Sequence, residues 1–192
     1  MSGGACQALD RFGVALEVVI RRCDERDLPG LEWWGMFTPH REIFTDAYAR
    51  HRRGENVMLV ADVNGHPAGQ AWIDLVKHAA DGVGVLWAVR VFPLLQGLGI
   101  GTRLMEAAED ELRRRGYAWA EIEVERENAG ARRLYERQGY AVVHEVVNEW
   151  GYTTPEGVPM RHVEHLSVMR KPLHAGDPFS VDAGRAASTV GD

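Results

Sequence analysis

A chain of 192 residues, 45% hydrophobic and 26% charged, is long enough to bury one substantial core and too apolar to be disordered. A formal net charge of −6 argues against general affinity for nucleic acid, and no apolar run approaches the roughly 20 residues needed to cross a bilayer. Two cysteines, Cys6 and Cys23, make neither a disulfide framework nor a metal-binding pattern, and the start Met1-Ser2-Gly3-Gly4 lacks the features of a signal peptide. The expected compartment is therefore the cytoplasm, with no metal, no membrane and no nucleic-acid partner.

Residues 1–12 read as a loose lead-in. Val14–Ile20 alternates as a first strand, and Asp24 or Asp27 can cap a helix in which Pro29 suits the first turn. Pro39 opens a second helix that runs to Arg53 and stops at Gly54. Val57–Val63 and Pro67–Val76 flank Asn64-Gly65, the dipeptide that a type I′ hairpin turn favours. Val85–Phe92 is a further apolar strand. Ile100, Leu104, Ala108 and Leu112 then recur every fourth residue, which gives a helix with one buried face, closed by Arg113–Arg115 and Gly116. Ala118–Glu125 alternates as a strand, Asn128 starts a short helix ending at Gly139, and Tyr140–Val147 is another strand. Asn148–Met160 holds Gly151, Pro155, Gly157 and Pro159 and reads as a long loop or hairpin tip, before a last strand at His162–Met169. Residues 13–171 thus form one domain, and 172–192 a mobile tail.

The stretch Val89–Thr102 passes from an apolar strand through Gly97, Gly99 and Gly101 into an amphipathic helix. Glycines at a strand-to-helix turn let backbone N–H groups converge on an anion, and the helix dipole adds to them. No lysine follows, as a P-loop requires, and the glycine spacing misses the dinucleotide fingerprint by one residue. What remains is Gln96-x-x-Gly99-x-Gly101 after a strand ending Val91-Phe92-Pro93.

These residues resemble the acyl-CoA signature of the GNAT N-acetyltransferase superfamily. A second match, Asn128, Ala131, Leu134, Tyr135, Gly139 and Tyr140, is similar to the helix motif found downstream in the same family. The resemblance implies an α+β fold: a mixed, mostly antiparallel sheet of six or seven strands, flanked by helices and splayed between the fourth and fifth strands. It further implies that Gln96, Gly97, Leu98, Gly99, Gly101 and Thr102 seat the pyrophosphate of acetyl-CoA. Val89 and Val91 would pair with its pantetheine arm, Val91 N–H facing the thioester carbonyl, and Asn128 would reach the arm or a bound water. Tyr135 would protonate the departing thiolate, as a phenol of pKa about 10 can do for a thiol of about 8.5.

The group that takes the proton from the amine is less sharply marked. Glu121, Glu123 and Glu125 share a face of the fifth strand beside the gap, with Asp74 and Glu145 as further candidates, and Glu123 is preferred. Arg90 either contacts substrate or cofactor or is solvated or salt-bridged. Leu94 and Leu95 are either core-facing or an exposed patch at the adenine end or a subunit contact. Most of Trp33, Trp34, Trp72 and Trp87 should be core, with Trp33 or Trp34 able to roof an amine pocket, and His162 and His165 read as surface or edge histidines. The leading expectation is direct acetyl transfer to a primary amine, a small molecule before a protein, by a protein that can form a homodimer. The alternative is a catalytically silent acyl-CoA-binding sensor.

Overall fold

The structure, a computed structural model, describes residues 15–174. The loose lead-in at 1–12 and most of the expected tail lie outside those residues. Seven strands form one sheet: β1 (Val19–Arg22), β2 (Asn56–Val63), β3 (His66–His78), β4 (Val83–Val91), β5 (Trp119–Glu125), β6 (Ala141–Thr153) and β7 (Pro159–Pro172). Their spatial order is β1-β2-β3-β4-β5-β7-β6, and every neighbouring pair is antiparallel except β4 with β5. Helices α1 (Arg41–Arg53), α2 (Ile100–Arg114) and α3 (Ala129–Arg137) flank it, with 3-10 turns at Glu25–Glu32 and Thr38–His40.

The two-residue period of the strands divides the apolar side chains between two cores. Val57, Leu59 and Ala61 of β2 join Ile73 and Leu75 of β3 against Ile100, Leu104, Met105, Ala108 and Leu112 of α2. Met58, Val60 and Trp72 point to the other face, where they meet Leu31, Phe44 and Ala47 beneath α1 and the first 3-10 turn. The central strands are therefore buried on both sides, which is why β2 and β3 read as continuous apolar runs. The hairpin between them carries positive φ at Asn64 (53°) and Gly65 (85°), the backbone a type I′ turn demands.

Strand β4 departs from a regular ladder in two ways. First, Gln70 pairs with Arg90 and Trp72 with Trp87, so two residues of β4 oppose one of β3. This is a β-bulge, and it is centred on Ala88, whose φ is +49°. Trp87 and Ala88 consequently both face the α1 core, while Val89 and Val91 face the α2 core. Secondly, β4 and β5 pair only over Val83–Leu86 and Trp119–Ile122. Beyond Leu86 the strands diverge and the sheet splays open.

The first strand is shorter and later than its alternation suggests, Val19–Arg22 rather than Val14–Ile20; Val14 lies outside the described residues. Of the two readings of Asn148–Met160, a long loop or a hairpin tip, the structure shows the hairpin, and most of the stretch is strand. Asn148 pairs with Glu164, Trp150 with His162 and Tyr152 with Met160, leaving a turn at 154–158. Cross-strand pairing outweighs the turn preference of Gly151, and Pro159 sits at the first position of β7, where the missing N–H is tolerated.

Candidate active site

The splay opens a cleft of about 560 Å³ whose walls are β4 from Val85 to Arg90 and β5 from Ile122 to Glu125. The end of β4 turns the backbone groups of Val91 away from its neighbour strand. Phe92 N–H donates to Ala68 C=O at 2.8 Å, and Val91 lies opposite Gly69. Alternation of the antiparallel ladder then turns the N–H and C=O of Val91 away from β3, into the gap. The Val91 carbonyl accepts from Gln96 Nε2 at 3.0 Å, so the Gln96 side chain ties the turn to the strand end.

Past the end of β4, in the turn that leads into α2, Gly97 and Gly99 have φ of 79° and 82°, the left-handed region that a side chain strains. A Cβ built at either would meet no protein atom within 4 Å. These glycines are thus present for backbone conformation and not to make room for protein packing. The N-terminus of α2 has no side-chain cap, and the first intrahelical bond at Gly99 runs from Arg103 N–H at 3.1 Å. The N–H groups of Ile100, Gly101 and Thr102 precede it and lack helical carbonyl partners, so they are available to an anion.

On the far wall, α3 brings Asn128, Ala131 and Tyr135 to the cleft. Asn128 Oδ1 accepts from Ala131 N–H at 3.0 Å and caps the helix; its Nδ2 has no partner among the described residues. Tyr135 is 6% exposed, lines the cleft, and its hydroxyl likewise has no partner among the described residues. Burial pushes its phenol up to about 12, so it holds its proton throughout the neutral range.

The glutamates of β5 share a face but not a role. Glu123 lines the cleft and accepts from Lys77 Nζ at 2.8 Å through Oε1, which leaves Oε2 without a partner among the described residues. Glu125 also lines it and is exposed. Glu121 lies outside the cleft lining: it is 2% exposed and bonded to Arg170 Nε at 2.7 Å, with His78 Nε2 at 3.6 Å. It neutralises a cation inside the sheet and does not face the gap. Asp74 lines the cleft but is held by Arg50 at 2.8 Å, and Glu145 is half-exposed on β6, paired with Arg126.

Several side chains stand elsewhere than their sequence positions suggest. Trp33 and Trp34 do not line the cleft. Trp33 is buried, with Nε1 donating to Pro67 C=O at 2.7 Å, while Trp34 is 81% exposed and joins Phe92 and Leu94 in a second, apolar groove. Leu94 is exposed, whereas Leu95 is partly buried against the α2 core. The indole at the cleft is Trp87, its Nε1 donating to Asn56 Oδ1 at 3.2 Å. His162 is no ordinary surface histidine: its ring stacks on Trp150 at 4.6 Å and on Tyr152 at 5.6 Å. The i, i+2 pattern Trp150-x-Tyr152 was the available signal, hidden by the turn residues around it. Ala88, an alanine in the left-handed region within a strand, gave no signal at all.

A mixed sheet split between a parallel pair, with a glycine-opened helix N-terminus after the first strand of that pair, defines a class of CoA-dependent acyltransferase folds. Residues 22–140 match the family model of the Acetyltransferase (GNAT) family, and the chain belongs to that family. It is 38% identical over 82 residues, 43% of its length, to mycothiol acetyltransferase of Beutenbergia cavernae, of which the match covers 27%. The chain spans less than half the length of that relative and of a Methanocaldococcus jannaschii N-acetyltransferase that it also matches. Among solved structures it is similar to the ribosomal-protein-S18-alanine N-acetyltransferase of Escherichia coli, with TM-score 0.62 at 25% identity, covering 85% of this chain and 99% of that one. The fold also matches the PaiA N-acetyltransferase of Thermoplasma acidophilum, solved in complex with coenzyme A, with TM-score 0.60 at 16% identity over 81% of this chain and 99% of that one.

Proposed function

We propose that this chain transfers an acetyl group from acetyl-CoA directly to a primary amine. The observation that carries the reading is the cleft itself: open backbone at the end of β4, an uncapped α2 after it, and an unpartnered phenol on the far wall. The N–H groups of residues 97–102 hold the pyrophosphate, Val89 and Val91 align the pantetheine as an added strand, and Val91 N–H faces the thioester oxygen as charge develops there. The free Nδ2 of Asn128 steadies the same arm. Glu123 Oε2 takes a proton from the acceptor's ammonium, directly or through water, which frees the amine lone pair to attack the thioester carbon, while Lys77 keeps the carboxylate in place.

Tyr135 then donates to the sulfur as the C–S bond breaks. Burial pushes its phenol up to about 12, so it is protonated at neutral pH and has a proton to give as the thiolate departs. No cysteine nucleophile is needed. Cys23 is buried, its thiol pushed up to about 12 by burial, and it is not part of the cleft. The cytoplasm is the compartment that goes with this reading; among the described residues no helix is long and apolar enough to cross a membrane. A homodimer would use the free edge of β6, where Val143 and Val147 are exposed, and sedimentation as a monomer would remove it.

Acetyl-CoA incubated with a panel of amines, read by release of free thiol, tests the reading. Binding of CoA without thiol release from any amine would overturn transfer while retaining the donor site.

A further inference from the structure

The charges around the cleft divide into those already satisfied and those left open. Arg50 is paired with Asp74 and Lys77 with Glu123. Arg90 also lines the cleft, yet among the described residues its guanidinium has no hydrogen bond and no carboxylate. Its contact is the ring of Phe37, 4.3 Å from guanidinium to centroid. The contrast with the other half-buried arginines is clear. Arg21 is held by Asp27 and Asp62, and Arg170 by Glu121. A guanidinium removed from water with five unanswered donors is costly, and a face-on phenyl ring offsets only part of that cost.

The placement of Arg90 decides which ligand can answer it. Val89 and Val91 pack towards α2, so strand alternation sends Arg90 to the opposite face, with Trp87 and Phe37. The pyrophosphate seat lies on the α2 side, and the pantetheine arm beside β4 is uncharged. The anion that fits Arg90 therefore does not come from the donor. Across the cleft, Glu125 and Glu164 line the opposite wall with no cation on either among the described residues. An unanswered cation thus faces unanswered carboxylates.

We propose that Arg90 binds an anionic group of the acceptor, so that the acceptor is a small zwitterionic amine carrying a carboxylate or phosphonate a few bonds from its amino group. The inference rests on the acetyltransferase reading of the same cleft. The guanidinium accepts the planar or tetrahedral anion through paired N–H donors, and Glu125 and Glu164 draw the ammonium end to the wall that bears Glu123 and Tyr135. Burial lowers the Arg90 guanidinium to about 10, which leaves it charged at neutral pH. His40 beside it is held low by burial and by the Arg90 charge, so it adds no competing cation there.

The test uses matched acceptors: β-alanine and 2-aminoethylphosphonate against ethylamine, and phenylalanine against 2-phenylethylamine, each with acetyl-CoA and a thiol readout. The wild-type protein should prefer an anion-bearing member by about 10- to 100-fold in kcat/KM, mainly through KM. The larger preference distinguishes carboxylate from phosphonate. Arg90→Gln should abolish that preference, Arg90→Lys should restore part of it, and CoA affinity measured by calorimetry should stay within about twofold in both. Equal use of matched partners by the wild type, or an equal loss for both partners in Arg90→Gln, overturns the proposal. If no amine releases thiol, calorimetry of the CoA-loaded protein with N-acetyl-β-alanine and N-acetyl-2-aminoethylphosphonate decides. Binding that Arg90→Gln removes retains the anion site and discards catalysis; absence of binding overturns the anion site as well.

Discussion

Helix α3 begins at the cleft and α2 follows the end of its β4 wall, and their N-termini are built in opposite ways. At α3 the first turn is closed: Asn128 Oδ1 answers Ala131 N–H at 3.0 Å. At α2 the first turn is open, because Gly99 at the cap position has no side chain and lies in the left-handed region. A closed N-terminus spends its dipole and donors on the helix itself, whereas an open one holds them for a ligand. The first 3-10 turn extends the contrast. Asp24 and Asp27 close it with a reciprocal capping box, far from any chemistry. One chain therefore carries closed and open helix starts, and the cap residue separates them.

The sharpest way to break this comparison is to fill the open end. Gly99→Trp should weaken CoA binding by at least about 100-fold, since a diphosphate loses two or more charge-assisted bonds. The forced positive φ should also cost about 1–3 kcal/mol of stability. Calorimetry against CoA and thermal unfolding measure the two effects, and unchanged affinity would place the anion seat elsewhere. Next, Tyr135→Phe should lower kcat by about 100-fold while leaving CoA affinity within about twofold, as loss of a general acid does. Equal kcat would make Tyr135 a packing residue of α3. Because its phenol lies near 12, no alkaline loss of activity from Tyr135 is expected below about pH 10, which a pH–rate profile checks.

The closed ends should respond in stability instead. Asp27 is buried at the largest cost, yet Arg21 and the Asp24 N–H hold its carboxyl below the usual range. A lowered folded pKa means that its contribution is complete above the unfolded value of about 3.9 and fades as pH falls through the folded one. Asp27→Asn should therefore cost about 2 kcal/mol at neutral pH, and its stability should fall less steeply below about pH 4 than that of the wild type. Urea titrations across pH read both. Asn128→Ala should cost about 1 kcal/mol by urea titration, with Asn128→Asp retaining the cap. No loss in the alanine variant would mean that α3 is not closed by its side chain, and the comparison would fail on that side.

Sequence periodicity and turn chemistry reach a long way in this molecule. The Asn64-Gly65 hairpin, the stop of α1 at Gly54, the buried stripe of α2 and the cap at Asn128 are local, and each appears where its residues imply. A hairpin tip was one reading of 148–160, but the length of the β6–β7 strands was hidden, because cross-strand partners such as Trp150 and His162 are twelve residues apart and surrounded by turn formers. Glu121 and Glu123 share one alternating strand face, and sequence alone does not separate the buried partner of Arg170 from the residue that reaches the cleft.

What the sequence determined by itself is the backbone frame of the proposed donor seat, because a backbone cradle needs only glycines at set positions, a strand before them and an amphipathic helix after them. What the tertiary structure decided is where Arg90 and the carboxylates stand around the cleft. The bulge at Ala88 puts Trp87 and Ala88 on one face of β4 and sets the face on which Arg90 emerges. Other segments bring it the ring of Phe37 and leave Glu125 and Glu164 on the opposite wall. Charge pairing across a cleft is a property of distances in space, and no spacing along the chain encodes it.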